Sequence, residues 1–422
     1  MPATFGLIDG NAFYCACERA FSPRLRGRAV VVLSNNDGCA VARSSEAKLA
    51  GVRMGEPWHL ARQRSEVRAA KVEWLSSNYA LYGDMSRRMY EVLAARVPRV
   101  EPYSIDEMFL DLDTPRDAAL LAVELRAAVR RIAKIPTCVG IGPTKTIAKL
   151  ANAVAKGDPT LEGVCDLRDE TRRARLYEAM PIAEVWGVGG KTAEKLAAIG
   201  VSTVARFIAL PSREARRMLT VVGLRVQAEL QGVSCLPLSM SPPPRKALAV
   251  TRCFGRPVTC WAEMREAGSA HAVRAGEKLR AAGLVASRMA VFLHTDPHSG
   301  DAWYSAQHAG RIEATDDARA LAAEAVRMLR PLWRDGYRYM KVGVMLDDLQ
   351  DKAAEPLGMF VSQDLGRSTA LMTAMDRVNA RYGRGMVRPL AVGLTQPWRT
   401  RAGRLTQRYT TRVEEIMAAT AM

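Results

Sequence analysis

The sequence predicts a multidomain α+β protein, and three observations carry that prediction. Over residues 1–168, short apolar runs of strand type are interleaved with helical periodicities. A stretch at 170–232, rich in Ala, Leu and Arg, has no strand pattern and reads as a compact helical domain. Beyond a proline-rich joint, two near-alternating runs bracket an amphipathic helix, the pattern of a small α+β domain. A chain of 422 residues can divide its core among several such domains.

Taken in order, "TFGLID" (4–9) and "AVVVLS" (29–34) are strands short enough to be buried on both faces. Residues 35–80 are more polar and read as an inserted small helical module. Helical spacing returns at 82–97 and 116–134. "PTCVGIG" (136–142) is a further strand, and the helix that follows it, 143–156, has Thr144 as its cap. Segments 1–34 and 81–168 thus form one layered domain around the insert, and 169–237 the helical one. "LSMSPPPRKA" (238–247) is a linker, because consecutive prolines stiffen and extend the backbone. The α+β domain spans 248–350, with strands at 287–295 and 337–346 around a helix at 316–330. Residues 351–422 are irregular and Arg-rich, an appended partner-binding region.

Sixty-one Lys and Arg against 44 Asp and Glu leave a net charge of +17, which points to a polyanionic partner, nucleic acid ahead of a membrane surface. No uncharged apolar run reaches membrane-spanning length, and "MPATFGLIDG" has no basic, apolar leader pattern. The eight cysteines include no CxxC pair, which suggests reduced thiols and a cytoplasmic location.

"YSIDEMFLDL" places Asp106 and Glu107 side by side in an apolar run, and ionised carboxylates there are costly unless paired or bound to metal. Asp9, at the end of the first strand before Gly10, converges on Asp106 if the two strands pair. Glu107 needs a bend or a strand end to join them, because adjacent strand residues face opposite ways. Three convergent carboxylates suit Mg²⁺, and two such ions can clamp the attacking and leaving oxygens of a phosphoryl transfer. The plainer alternative is that Asp106 and Glu107 make caps or salt bridges at a strand end. On the helix after Thr144, Lys145, Lys149 and Lys156 share a face. That face is either solvated or projects over the edge of the same sheet. Lys48, from the insert, is a second candidate for a phosphate. Phe13 and Tyr14, taken by themselves, read as core aromatics.

In chain order, Asp9, "NAFY", "NNDGCAVARSSEAK", "SSNYALYGDMS", "YSIDEMFLDL" and "GIGPTKTIAKLAN" resemble the motifs of a Y-family DNA polymerase of the UmuC branch. The likeness covers nearly the whole chain. It implies a right-hand polymerase with a ferredoxin-like palm, fingers, helical thumb and α+β little finger. It implies that Asp9, Asp106 and Glu107, helped by the Gly10 carbonyl, hold two Mg²⁺ ions. A primer 3′-hydroxyl would attack the α-phosphate of a dNTP, giving error-prone translesion synthesis in the bacterial SOS response. Lys48 and Lys149 match triphosphate-holding positions, and Tyr14 the ring that excludes a 2′-hydroxyl. Ser45 stands where relatives outside the branch carry a tyrosine, with Arg43 nearby to compensate.

"GGKT" is not a P-loop, since Val185 stands where the first glycine is required. A helix-hairpin-helix fits better, with Gly187 and Gly189 in the turn and Lys191 on the helix 191–198, and its amides can hold a DNA phosphate without reading sequence. A plain αα-turn is the alternative. In "YRYMKVGVML", strict alternation puts Tyr339 and Lys341 on a face open to duplex DNA. His294 and His298 have no clustered co-ligands, so a zinc site is not expected. Arg404, Arg408 and Arg412 share one face if their segment is helical. Leu357, Met359 and Phe360 in "EPLGMF" resemble the anchors of a sliding-clamp peptide, with Pro356 in place of its glutamine. The resemblance also implies primer-template DNA, dNTPs, a UmuD-like processed dimer and the RecA filament as partners. The rival readings are a catalytically weak DNA-binding accessory subunit and another two-metal enzyme on a similar palm, such as a nucleotidyl cyclase.

Overall fold

A computed structural model describes residues 3–241, 243–354 and 365–416. The chain divides into two compact units, one of residues 1–34, 38–242 and 403–422, the other of 35–37 and 243–402.

The first unit opens with β1 (Phe5–Gly10) and α1 (Phe13–Phe21), then β2 (Val30–Leu33), β3 (Ala40–Arg43), three short helices α2 (Ser45–Leu49), α3 (Trp58–Ala61) and α4 (Ser65–Ala69), and β4 (Glu73–Ser76). It continues through α5 (Tyr79–Ala94), β5 (Val100–Pro102), β6 (Glu107–Asp111), α6 (Ala118–Ile132), β7 (Thr137–Gly142), α7 (Lys145–Gly157) and β8 (Val164–Asp166). Helices α8 (Glu170–Ala179), α9 (Gly190–Ala197), α10 (Val204–Ala209) and α11 (Ser212–Leu230) complete the strand-free stretch.

The central sheet has the order β5-β6-β1-β7-β8, with β1 antiparallel to both β6 and β7. All six residues of β1 are buried, as expected of a central strand covered on both faces. The insert is not purely helical: β2 pairs with β3 and β4 in a separate three-stranded sheet, so the strand at 30–33 belongs with the insert. Four-residue strands broken by turns and short helices leave little periodicity to read.

Helix α7 is capped by Thr144, whose Oγ1 accepts from the Ile147 amide. The buried Glu229 carboxylate accepts from the Thr146 amide at 3.0 Å, where the helix dipole favours negative charge. The helix lies unusually close to the sheet at Gly140: a Cβ there would sit 2.1 Å from the Ala148 carbonyl oxygen and the Asn152 nitrogen. Asn152 uses the proximity, donating to the carbonyls of Leu7 at 3.1 Å and Cys138 at 2.8 Å. The lysine-bearing helix is thereby fixed over β1 and β7.

The second unit runs β9 (Ala247–Val258), α12 (Trp261–Ala281), β10 (Leu284–Thr295), β11 (Ser305–Thr315), α13 (Ala318–Leu329), β12 (Tyr339–Asp351) and α14 (Leu365–Tyr382), and its four strands form a sheet of order β11-β10-β12-β9. Its core gathers Val291, Leu293, Val342, Val344 and Leu346 with apolar residues of α12 and α13.

Residues 403–412 form no helix, so Arg404, Arg408 and Arg412 do not make the shared helical face. This stretch instead runs along the first unit. The Ser76 amide donates to the Arg404 carbonyl at 3.1 Å, and the Tyr409 ring stacks on Phe21 at 5.0 Å.

Candidate active site

The register of β1 and β6 sets Asp9 directly opposite Glu107, a spacing of about 5 Å between Cα atoms. Asp106 lies one residue before the strand, and its carbonyl accepts from the Gly10 amide at 2.9 Å. The bend lies at residues 104–106, so Glu107 begins the strand opposite Asp9 and Asp106 is the acid set outside it, the reverse of the expected arrangement. Ser104 Oγ accepts from the amides of Asp106 and Glu107 at 3.2 and 3.0 Å and donates to Asp106 Oδ1 at 2.7 Å.

Asp9 is only 7% exposed. Burial pushes its carboxyl up to about 6, and repulsion from Asp106 and Glu107 adds to the rise while Lys156 opposes it. Lys156 Nζ lies 2.6 Å from Asp9, and Lys149 Nζ lies 2.7 and 2.8 Å from the two Glu107 oxygens. Among the described residues, no three acidic, His or Cys side chains converge as a ready-made metal site. The donor chemistry nevertheless fits Mg²⁺: three carboxylates at one strand end, all hard oxygen ligands. Gathering them around a cation requires Asp9 and Glu107 to turn off their lysines.

Beside the acids is a cavity of about 780 Å³. Arg19, Arg26, Lys48, Arg130, Lys134 and Lys156 line it with Ser44, Ser45 and the first turn of α1, and no acidic side chain does. Ala12, also in the lining, holds the left-handed φ of 46° that alanine rarely adopts. The first amides of a helix have no intrahelical partner, so the start of α1 adds donors suited to phosphate. Lys156 therefore touches both Asp9 and the basic cavity, a position to which the sequence reading gave no role. Its spacing on the Lys145, Lys149 and Lys156 face was the available signal.

Lys149, matched to a triphosphate-holding position, does not line the cavity. It is enclosed by Glu107, the Tyr103 ring at 4.6 Å and the Trp186 ring at 5.7 Å. Lys48 and Ser45 do line it. Arg43 does not, because its guanidinium donates to the Val52 carbonyl at 2.8 Å. Phe13 is a core residue, whereas Tyr14 is only partly buried and stacks on Tyr82 at 4.4 Å with planes 13° apart. Burial above all, then the neighbouring Tyr79 and Asp106, pushes the Tyr14 hydroxyl up to about 12.

Gly187 has φ +89°, a conformation that explains glycine there, and Gly189 caps α9, with Lys191 exposed on its first turn. Tyr339 is a correction to the expected open face. It is 0% exposed, packed among Tyr304, Trp333 and Tyr337, and its hydroxyl accepts from the Arg334 amide. A register shift between Tyr339 and Lys341 turns it into the core, while Lys341 stays on the other face near Phe292. Leu357, Met359 and Phe360 lie outside the described residues.

The chain is similar to known proteins along its whole length. Residues 8–153 match the impB/mucB/samB family, 245–359 its C-terminal domain and 176–201 the IMS family HHH motif. Protein UmuC of Salmonella typhimurium is 39% identical over 98% of this chain and 99% of its own. Protein MucB of Escherichia coli is 39% identical over 99% of each. The chain belongs to the UmuC branch of the Y-family DNA polymerases. By class it is a DNA-directed DNA polymerase. DNA polymerase IV 1 of Bacillus subtilis, a more distant relative, is 27% identical over 90% of this chain and 91% of its own. A solved Y-family DNA polymerase chimera matches the fold with a TM-score of 0.68, covering 82% of this chain and 98% of that one at 19% identity. The α+β right-hand architecture is therefore the one the chain has. Residues 369–419 match a domain of unknown function, DUF4113.

Proposed function

We propose that this polymerase adds dNTPs to a primer 3′ end by two-metal phosphoryl transfer, in error-prone translesion synthesis during the bacterial SOS response. The observation that carries the reading is Lys156, which binds Asp9 at the acid cluster and lines the basic cavity beside it. A triphosphate held in that cavity has its reacting end next to the acids. Lys48, Lys156 and the α1 amides hold its charge. The 3′-hydroxyl loses its proton to solvent, its oxygen bonds the α-phosphorus as the bridge to the β-phosphate breaks, and pyrophosphate leaves. Asp9, Asp106 and Glu107, with the Gly10 carbonyl, would hold two Mg²⁺ ions, which supply charge neutralisation at the attacking and leaving oxygens. The Tyr14 ring, backed by Tyr82, lies under the sugar and excludes a 2′-hydroxyl. Gly187, Gly189 and Lys191 hold a DNA phosphate, and Lys341 contributes from the open sheet face of the second unit.

On the same reading, the sliding clamp, a UmuD-like dimer and the RecA filament are partners. No helix among the described residues is long and apolar enough to cross a membrane, in keeping with work on cytoplasmic DNA. Primer extension with Mg²⁺ and dNTPs tests the site. Asp106→Ala should lower extension by about a thousandfold or more while leaving primer-template affinity nearly unchanged. Full extension by that variant would remove Asp106 from the catalytic site.

A further inference from the structure

We infer that the C-terminal strap, residues 404–409, is a positioning element for sugar selection, in which Thr406 holds Glu18, Glu18 holds Tyr82, and Tyr82 backs the ring of Tyr14. The inference rests on the reading of Tyr14 as the residue that excludes the 2′-hydroxyl.

Glu18 lies on α1 with 0% exposure, inside the apolar cluster of the central sheet. A carboxyl there is costly unless hydrogen-bonded. It accepts on Oε1 from the Tyr82 hydroxyl at 2.7 Å and from Thr406 Oγ1 at 3.1 Å, while Oε2 has no partner. Burial pushes this carboxyl up to about 7, so the two donors are what it has in place of water. The Tyr82 ring, tethered through its hydroxyl, lies 4.4 Å from Tyr14 and nearly parallel to it. Its lateral position sets where the Tyr14 face can rest.

Thr406 is held in turn. Asn78 Nδ2 donates to the Thr406 carbonyl at 3.1 Å, to its Oγ1 at 3.0 Å and to the Gln407 carbonyl at 3.1 Å. The strap is also attached without this hydroxyl, through two backbone-side contacts between Ser76 and Arg404 and through the stack of Tyr409 on Phe21. Removing the Thr406 hydroxyl therefore loosens the Glu18–Tyr82 link and leaves the strap in place. A steric filter is sensitive to such a change, because it works by excluding an atom from a space it nearly fits.

The test measures kcat/KM for a matching dNTP and for the corresponding ribonucleoside triphosphate. The variants are Thr406→Val, Thr406→Ser, Tyr82→Phe and Tyr14→Ala, in the full-length chain. Thr406→Val should raise the ribo-to-deoxy ratio by about two- to tenfold, the change one ordinary hydrogen bond corresponds to. Its dNTP efficiency should stay within about twofold of the parent, and Thr406→Ser should restore the ratio. If Tyr14→Ala shifts the ratio and Thr406→Val does not, the strap has no part in sugar selection. Equal losses for both nucleotides would assign Thr406 to stability alone. An unchanged ratio in Tyr14→Ala would remove the underlying reading and the inference with it. Should Thr406→Val not fold, Tyr82→Phe cuts the same chain one link nearer the ring, and an unchanged ratio there overturns the proposal.

Discussion

The two larger sheets treat charge in opposite ways. The four-stranded sheet of the second unit alternates, with Val342, Val344 and Leu346 buried and Lys341 and Met345 on the other face. It is an ordinary half-covered antiparallel sheet. The five-stranded sheet has a central strand buried along its whole length and still ends it in an aspartate opposite a glutamate. Two lysines from one helix pair with those acids. The contrast separates a surface built to lie against something from a site built to hold charge where charge is expensive. The first needs only periodicity; the second needs partners brought from elsewhere in the chain.

The sharpest way to break the comparison is at Tyr339, which the register shift turns out of the alternation. Tyr339→Ala removes a fully buried ring and should cost about 3–5 kcal/mol of stability in the second unit, measured by denaturant unfolding. A mild effect would mean that the tyrosine is exposed after all and that the register shift has been misread. The lysines give the next test. Lys156→Ala should raise KM for dNTP by about ten- to a hundredfold, because it removes a cation from the cavity. Lys149→Ala should act mainly on kcat, through the orientation of Glu107. If the two variants have exchanged phenotypes in steady-state extension assays, Lys149 holds the triphosphate and the cavity assignment fails. The smallest effect is expected at Lys341→Ala. Its primer-template affinity should fall by about fivefold or less, and the salt dependence of binding should flatten slightly. Binding with unaltered salt dependence would remove Lys341 from the DNA surface.

Where sequence periodicity was strong, it located the elements. The run 143–156 and its Thr144 cap correspond to α7, and 316–330 to α13. The acids of "SIDEMFLD" were recognisable as unusual because of the apolar run around them, and strand geometry alone required a bend or strand end between neighbours, though not that Asp106 would be the one displaced. Other features leave no local trace. The displacement of Tyr339 depends on a register shift against neighbouring strands, which a single strand's pattern cannot record. Lys149 and Lys156 look alike on a helical projection. Only the rings of Tyr103 and Trp186 around one, and the cavity beside the other, tell them apart. The strap has no period at all, because its bonds are made by backbone groups and by single polar side chains distant in sequence.

The Gly140 contact has a consequence for how this polymerase can change over time. Where a helix rests backbone to backbone on a strand, the gap between them is set by an absent methyl group. Even alanine at that point would lever the helix outward and carry both lysines away from the carboxylates they meet. Mutational drift, which loops and outer faces absorb freely, is therefore closed off at a site with no charge and no reactive atom. The chemistry of the lineage is tied to its smallest side chain as firmly as to its acids.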